Sequence, residues 1–206
     1  PGCNLHCPFC HNPALVLPDR ATGGLSTEKL LAFLETRRGK LDGVCVTGGE
    51  PTLYEDLPAL LRQIRALGFA VKLDTNGTNP DMLEALAQEG RLDYAAMDIK
   101  NSPDRYAETC GGVDLLGPVK RSAALLMAGA VDYEFRTTLV RELHRPEDLD
   151  AIAAWLAGAP RYYLQNFVDS GNLIGRGYHG FTAEQLQGFA ERVRPFFGAV
   201  ELRGID

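Results

Sequence analysis

The sequence predicts an α/β protein, a partial (β/α)6 barrel in a single domain spanning residues 1–206. Three observations lead there. Short β-branched runs alternate with amphipathic helical stretches, the pattern of a mostly parallel sheet. Polar clusters follow the ends of successive predicted strands, and in such sheets that gathers them at the C-terminal edge, where ligands bind. The chain opens abruptly at Pro1-Gly2 in a cysteine-bearing loop. A ligand loop of this kind ordinarily follows a strand, so a first strand is expected to be missing, and it would bring five predicted strands to six.

The elements follow in order. Residues 11–25 contain His11-Asn12-Pro13 and end near Gly23-Gly24, which reads as loop. Ser26 caps a helix whose Leu30, Leu31, Phe33 and Leu34 share a face and which stops by Gly39. Gly43 to Thr47 is a buried strand that runs into a glycine pair. Leu57, Leu60, Leu61, Ile64 and Leu67 step by three and four, giving a helix from Glu55 to Leu67 that ends at Gly68. Phe69 to Leu73 is the next strand, and it delivers Asp74-Thr75-Asn76-Gly77. Asn79-Pro80 starts a helix that runs to about Glu89. The strand Tyr94 to Ile99 carries Asp98 and leads to Lys100. The alternation continues with a helix Pro118 to Met127, a strand Tyr133 to Val140, a helix Pro146 to Trp155 and a strand Tyr162 to Val168. Asp169 to Gly180 is a glycine-rich loop, Thr182-Ala183-Glu184-Gln185 is a capping box for a last helix reaching Phe196, and Ala199 to Leu202 forms a short strand.

Composition excludes several classes. A 206-residue chain with 45% hydrophobic content fits one soluble globular domain. Its net charge of −6, with lysines and arginines scattered, argues against a nucleic-acid surface. No apolar run nears the ~20 residues needed to cross a bilayer. Five cysteines, three of them clustered, do not make a disulfide framework, so a reducing, cytoplasmic setting is expected.

The clustered cysteines are Cys3, Cys7 and Cys10, spaced C-x3-C-x2-C. Thiolates are soft ligands for zinc or iron–sulfur clusters, and three in one loop can hold three corners of a four-iron cluster, leaving one iron open. Other readings compete. Cys7-Pro8-Phe9-Cys10-His11 is literally a haem-attachment string and contains a thioredoxin-like pair, and Cys3, Cys7, Cys10 and His11 form a plausible zinc set. Gly48-Gly49 can bring backbone close to a ligand, and Glu50 can accept from an ammonium. Asp98 and Lys100 are two apart and so point to one side of their strand, where Lys100 could meet a carboxylate. The bland alternative is a surface ion pair. His6, His144 and His179 read as loop or surface residues, Cys45 and Trp155 as core.

Together these motifs resemble the radical S-adenosylmethionine (SAM) superfamily. Within it, the chain resembles the glycyl radical enzyme activating enzymes, closest to the anaerobic ribonucleotide reductase activating proteins, which are similar to the pyruvate formate-lyase activator. The resemblance rests on Cys-Asn-Leu-His-Cys-Pro-Phe-Cys-His-Asn-Pro (3–13), Thr-Gly-Gly-Glu-Pro-Thr (47–52), Leu-Asp-Thr-Asn-Gly (73–77) and Met-Asp-Ile-Lys (97–100). It implies that Cys3, Cys7 and Cys10 bind a [4Fe–4S] cluster whose open iron chelates the amino and carboxylate groups of SAM. It implies that Phe9 lies by the adenine and that Asn12, Gly48, Gly49, Glu50, Asp74 and Lys100 help to hold SAM. His11, Thr75, Asp98 and Arg136 would lie near the glycine loop of a partner glycyl radical enzyme. Asp74 and Asp98 would also bear on a monovalent cation. A late histidine expected in close relatives of the pyruvate formate-lyase activator is absent from Tyr162 to Phe167, where Gln165 could take over a contact to SAM. The implied reaction passes an electron from a flavodoxin- or ferredoxin-like donor into the cluster, cleaves SAM to methionine and a 5′-deoxyadenosyl radical, and removes a hydrogen from a partner glycine. Two alternatives remain: a radical SAM enzyme acting on a small molecule, as 7-carboxy-7-deazaguanine synthase does, and a non-catalytic zinc-binding module.

Overall fold

A computed structural model describes residues 2–17 and 23–205. The predicted loop at 11–25 therefore lies partly outside the described residues, and part of what is described is helical. Pro13–Val16 form a short helix, α1, with proline near its start where a missing N–H costs nothing. The remaining helices are α2 (Thr27–Glu35), α3 (Leu57–Ala66), α4 (Pro80–Gln88), α5 (Tyr106–Thr109), α6 (Leu116–Met127), α7 (Pro146–Trp155) and α8 (Ala183–Val193). The strands are β1 (Gly43–Val46), β2 (Ala70–Thr75), β3 (Tyr94–Asp98), β4 (Tyr133–Leu139), β5 (Arg161–Asn166) and β6 (Ala199–Arg203). The expected caps form. Ser26 Oγ accepts from the N–H of Lys29, Asn79 Oδ1 from that of Met82, and Thr182 and Gln185 make a reciprocal capping box.

All six strands pair in parallel in the order β1-β2-β3-β4-β5-β6. The sheet reaches six through the C-terminal strand β6, whereas the expected count of six relied on a strand ahead of the cysteine loop. Sequential neighbours joined by helical crossovers put the helices on one side. Val71, Leu73, Met97, Phe135 and Leu164 are fully buried in one core with Leu61, Ile64, Leu86, Leu126, Ile152 and Leu186 from the helices. The alternate positions face the other side of the pleat. Lys72, Asp74, Asp98, Glu134, Arg136 and Gln165 share that concave face, and all but the neutral Gln165 are linked by ion pairs. Glu134 meets Lys72 at 3.7 Å and Arg203 at 3.4 Å, and it accepts from the Tyr94 hydroxyl at 3.1 Å.

Two side chains depart from expectation. Cys45, expected in the core, is exposed, because its position in β1 falls on the concave side. His144, expected at the surface, is 3% exposed. Its Nδ1 accepts from the Val140 N–H at 3.1 Å, leaving Nε2–H to donate to the Lys100 carbonyl at 2.8 Å. Burial holds its pKa below the ordinary histidine value, so the ring is neutral. Tyr106 lies in α5, a helix the sequence pattern does not flag, and its ring is buried edge-on to the half-buried Trp155. His179, by contrast, is exposed as expected and pairs with Glu142.

Candidate active site

The C-terminal strand ends and the cysteine loop enclose a cavity of about 280 Å³. Cys3, Cys7 and Cys10 all line it, and all three are free thiols. Backbone hydrogen bonds hold the loop in place from several sides. The N–H of Glu50 donates to Gly2 O (2.8 Å), that of His6 to Cys110 O (3.2 Å), that of Ile174 to Cys10 O (3.3 Å) and that of Gly175 to Pro8 O (2.6 Å). Within the loop, the Cys10 N–H closes a turn onto Cys7 O at 3.0 Å. Burial pushes the Cys3 and Cys10 thiols up, whereas a hydrogen bond from the buried Cys110 thiol draws Cys7 down against its own burial. Among the described residues, no three His, Cys, Asp or Glu side chains gather closely enough to hold a single metal ion. Three cysteine sulfurs on one cavity wall fit the donor set of an iron–sulfur cluster.

Phe9, His11 and Asn12 extend the loop's wall of the cavity, and Gly48, Gly49, Asp74, Thr75, Asp98, Lys100, Arg136 and Gln165 supply the strand-end wall. The two glycines differ. A Cβ on Gly48 would meet nothing within 4 Å, so that backbone borders open cavity and leaves room for a ligand. A Cβ on Gly49 would stand 1.8 Å from Gly2 O. Gly49 is therefore required by the cysteine loop packed against it, and not by ligand space as its pairing with Gly48 implies.

Glu50 is the one expected site residue that the structure does not bring to the cavity. It is 1% exposed. One carboxylate oxygen accepts from Thr52 N–H (3.0 Å), Thr52 Oγ1 (2.6 Å) and Thr75 Oγ1 (2.8 Å), and the other from Asn76 N–H (2.6 Å). Burial raises its pKa and these donors oppose the rise. Its hydrogen-bonding capacity is spent on joining the glycine loop to the end of β2, which is why it turns away from the expected ammonium contact.

Arg136 lies between two carboxylates. Its Nε donates to Asp98 at 2.8 Å and its Nη1 to Asp74 at 3.0 Å, across the intervening strand. Lys100 Nζ holds the other Asp98 oxygen at 3.0 Å, and Lys72 approaches Asp74 at 3.3 Å. Burial alone would raise Asp98, but Lys100 and Arg136 outweigh it and keep the carboxyl below its ordinary value. The resemblance places a monovalent cation beside Asp74 and Asp98, and in the structure the positive charge between them is the guanidinium. Asn76, Thr138, Thr47, Leu5 and Val16 also line the cavity, beyond the site residues that the sequence marks. For Asn76 a signal existed, since it lies in the strand-end motif beside Asp74 and Thr75. For Cys110, far along the chain from Cys7, there was none.

Comparison with known proteins bears on what this cavity holds. The radical SAM superfamily model matches residues 1–156. A provisionally named glycyl-radical enzyme activating enzyme of Methanocaldococcus jannaschii is 33% identical over 171 residues, covering 81% of this chain and 70% of that protein. A 7-carboxy-7-deazaguanine synthase of Methanospirillum hungatei is 39% identical over 179 residues, 85% of this chain and 70% of that protein. Among solved structures, Streptococcus suis SuiB bound to S-adenosylmethionine superposes with a TM-score of 0.76 at 16% identity, covering 98% of this chain and 48% of SuiB. The chain thus spans about half the length of that structure, and the likeness is one of fold. With a family match over three quarters of its length and a cavity lined by three free thiols at the mouth of an open parallel sheet, this chain belongs to the radical SAM superfamily, whose cofactors are a [4Fe–4S] cluster and S-adenosylmethionine.

Proposed function

We propose that this protein is an activating enzyme for a glycyl radical enzyme, with anaerobic ribonucleotide reductase as the partner and a flavodoxin- or ferredoxin-like protein as the electron donor. The carrying observation is the 33% identity to the M. jannaschii protein over most of both chains. The open sheet supports it. β1 and β6 do not pair with each other, and His11 and Asn12 are exposed at the cavity mouth, so a peptide loop has a side from which to enter.

In this reading Cys3, Cys7 and Cys10 hold the cluster, and Phe9, Asn12, Gly48, Lys100 and Gln165 hold SAM. The cluster and SAM, when bound there and supplied with one electron by the donor, would provide reductive cleavage of SAM and removal of a hydrogen atom from a glycine. The chain's residues contribute position and shielding. Lys100, kept protonated by Asp98 despite burial, offers a fixed positive charge to a carboxylate. Arg136 neutralises Asp74 and Asp98 so that neither carboxylate faces the cavity unpaired. Gly49 and Glu50 hold the wall. No general base is needed.

The test follows two products side by side, 5′-deoxyadenosine without partner and the glycyl radical electron paramagnetic resonance (EPR) doublet with it. His11→Ala should spare the first and weaken the second. Arg136→Ala should lose both, because it leaves Asp74 to Lys72 and Asp98 to Lys100 alone and ties Lys100 more tightly away from a SAM carboxylate. If neither anaerobic ribonucleotide reductase nor any other glycyl radical enzyme yields a doublet while 5′-deoxyadenosine forms, the activating reading fails. A second reading has its own observation, the 39% identity to a 7-carboxy-7-deazaguanine synthase. In that case the deazapurine product should form when the precursor of that reaction is supplied.

A further inference from the structure

Asn76 is the first residue beyond β2, and both its backbone and its side chain are locked. Its N–H donates to Glu50 at 2.6 Å. The next residue, Gly77, has φ +74° and stands against Met97, where a Cβ would come within 2.1 Å of the methionine methyl. The side chain is 5% exposed, and its amide can face only one way. Its Oδ1 accepts from Thr78 N–H (3.0 Å) and Thr78 Oγ1 (2.6 Å). The –NH2 end therefore points at the cysteine loop, donating to Asn4 Oδ1 at 3.1 Å and to Cys3 Sγ at 3.7 Å. Asn4 is fixed in turn by donating to Thr78 Oγ1 at 2.9 Å.

From this geometry we propose that Asn76 is a positioning residue that tunes the cluster, its side-chain N–H donating to the Cys3 thiolate and raising the cluster's reduction potential. The inference rests on the reading of Cys3 as a cluster ligand. Hydrogen bonds to ligand sulfurs stabilise the more negative reduced cluster and are a main lever on potential. A charge-assisted bond in a buried setting is worth enough to shift the reduced-to-oxidised ratio about three- to tenfold. An asparagine suits the task because its carbonyl end can be tied to Thr78 while its two N–H groups serve Asn4 and Cys3 together.

The experiment uses the full chain, reconstituted anaerobically with iron and sulfide. Asn76→Asp keeps an acceptor for Thr78 but replaces the donor to Cys3 with a charge. It should load a full cluster yet show, at the applied potential where the wild type is half reduced, a reduced-to-oxidised ratio lowered at least threefold, read from the EPR signal. Thr78→Val disturbs the same network without removing the donor and should leave the ratio within the wild-type error, which a merely structural role for the network would not. An Asn76→Asp protein with a full cluster and the wild-type ratio overturns the proposal. Because the added carboxylate lowers the ratio by its charge alone, Asn76→Ala, which removes the donor and adds no charge, decides the matter: it should lower the ratio in the same direction, and a full cluster with the wild-type ratio in Asn76→Ala overturns the proposal. A second readout compares proteins labelled with 15N at asparagine side chains: electron–nuclear double resonance of the reduced wild-type cluster should show a weakly coupled 15N that is missing from Asn76→Ala while those of the other asparagines persist, and identical spectra overturn the proposal. A Cys3→Ala protein that still loads a full cluster overturns the ligand reading itself, an outcome distinct from any of these.

Discussion

At the scale of single residues, the site is made of groups whose partners lie far away in sequence. Gly49 shows the consequence. Because Gly2 O occupies the space of its missing Cβ, Gly49→Val should displace the cysteine loop as well as the SAM wall. Iron and sulfide content should therefore fall together with SAM binding, whereas Gly48→Ala, whose Cβ meets nothing but whose φ of +154° strains any L side chain, should keep the cluster, lower stability somewhat and weaken SAM-induced EPR shifts. Glu50→Gln would present an –NH2 group to at least one of four donors now satisfied by carboxylate oxygens. The expected cost is about 1–3 kcal/mol of stability, measured by urea unfolding. His144 gives a pH dependence. Its folded pKa is held below the unfolded value of about 6.5, so below that pH the unfolded chain binds a proton that the folded chain refuses. Stability should fall as pH drops through about 6.5 toward the folded pKa, and His144→Gln should remove that part of the fall.

At the scale of elements, one carboxylate joins the loop after β3 to the start of α7. Asp148, in the first turn of α7, accepts from Ser102 Oγ (2.7 Å), Arg105 Nη1 (2.8 Å) and the Arg145 N–H (2.9 Å). Burial would raise its pKa, but these donors outweigh burial and hold it below the ordinary aspartate value. The sign follows for a depressed acid. The stabilisation is fully present above the unfolded pKa of about 3.9 and is lost as pH falls through the folded pKa. Asp148→Ala should cost about 1–3 kcal/mol at neutral pH, in urea unfolding, and should flatten the acid limb of the stability profile. The neighbouring segment Lys100 to Asn101 feels the same brace, since Asn101 Nδ2 donates to Thr109 Oγ1 at 2.8 Å and to Leu143 O at 2.9 Å. Lys100 is thereby delivered to the cavity by three elements at once, β3, α5 and the turn before α7.

At the scale of the whole molecule, the cysteine loop is anchored without help from iron. Its hydrogen bonds run to Glu50, to Cys110 and to the adjacent Ile174 and Gly175, in three separate parts of the fold. Removing the cluster by chelation under reducing conditions should therefore lower the thermal midpoint while leaving far-UV circular dichroism native-like at room temperature. A small metal-nucleated module would instead unfold without its metal. That outcome would favour the zinc-binding alternative. No helix among the described residues is long and apolar enough to cross a membrane.

By itself the sequence determined the parallel sheet, the positions of its strands and main helices, and the thiol loop at its C-terminal edge. Each of these is written locally: in the three-and-four stepping of Leu57, Leu60, Leu61 and Ile64, in the β-branched run Gly43 to Val46, in caps such as Asn79-Pro80, and in the cysteine spacing. Tertiary structure alone decided that Glu50 turns inward, that Arg136 sits between Asp74 and Asp98, that His144 is buried under Lys100, and that Cys110 meets Cys7. It also decided the contact of Asn76 with Cys3, which lie 73 residues apart, and that of Arg136 with Asp74, 62 apart. No periodicity carries such pairings. They arise when crossover helices set the strand ends side by side and each buried polar group must find a partner there. The short helices α1 and α5 escaped for a related reason, since four residues are too few to show a helical repeat.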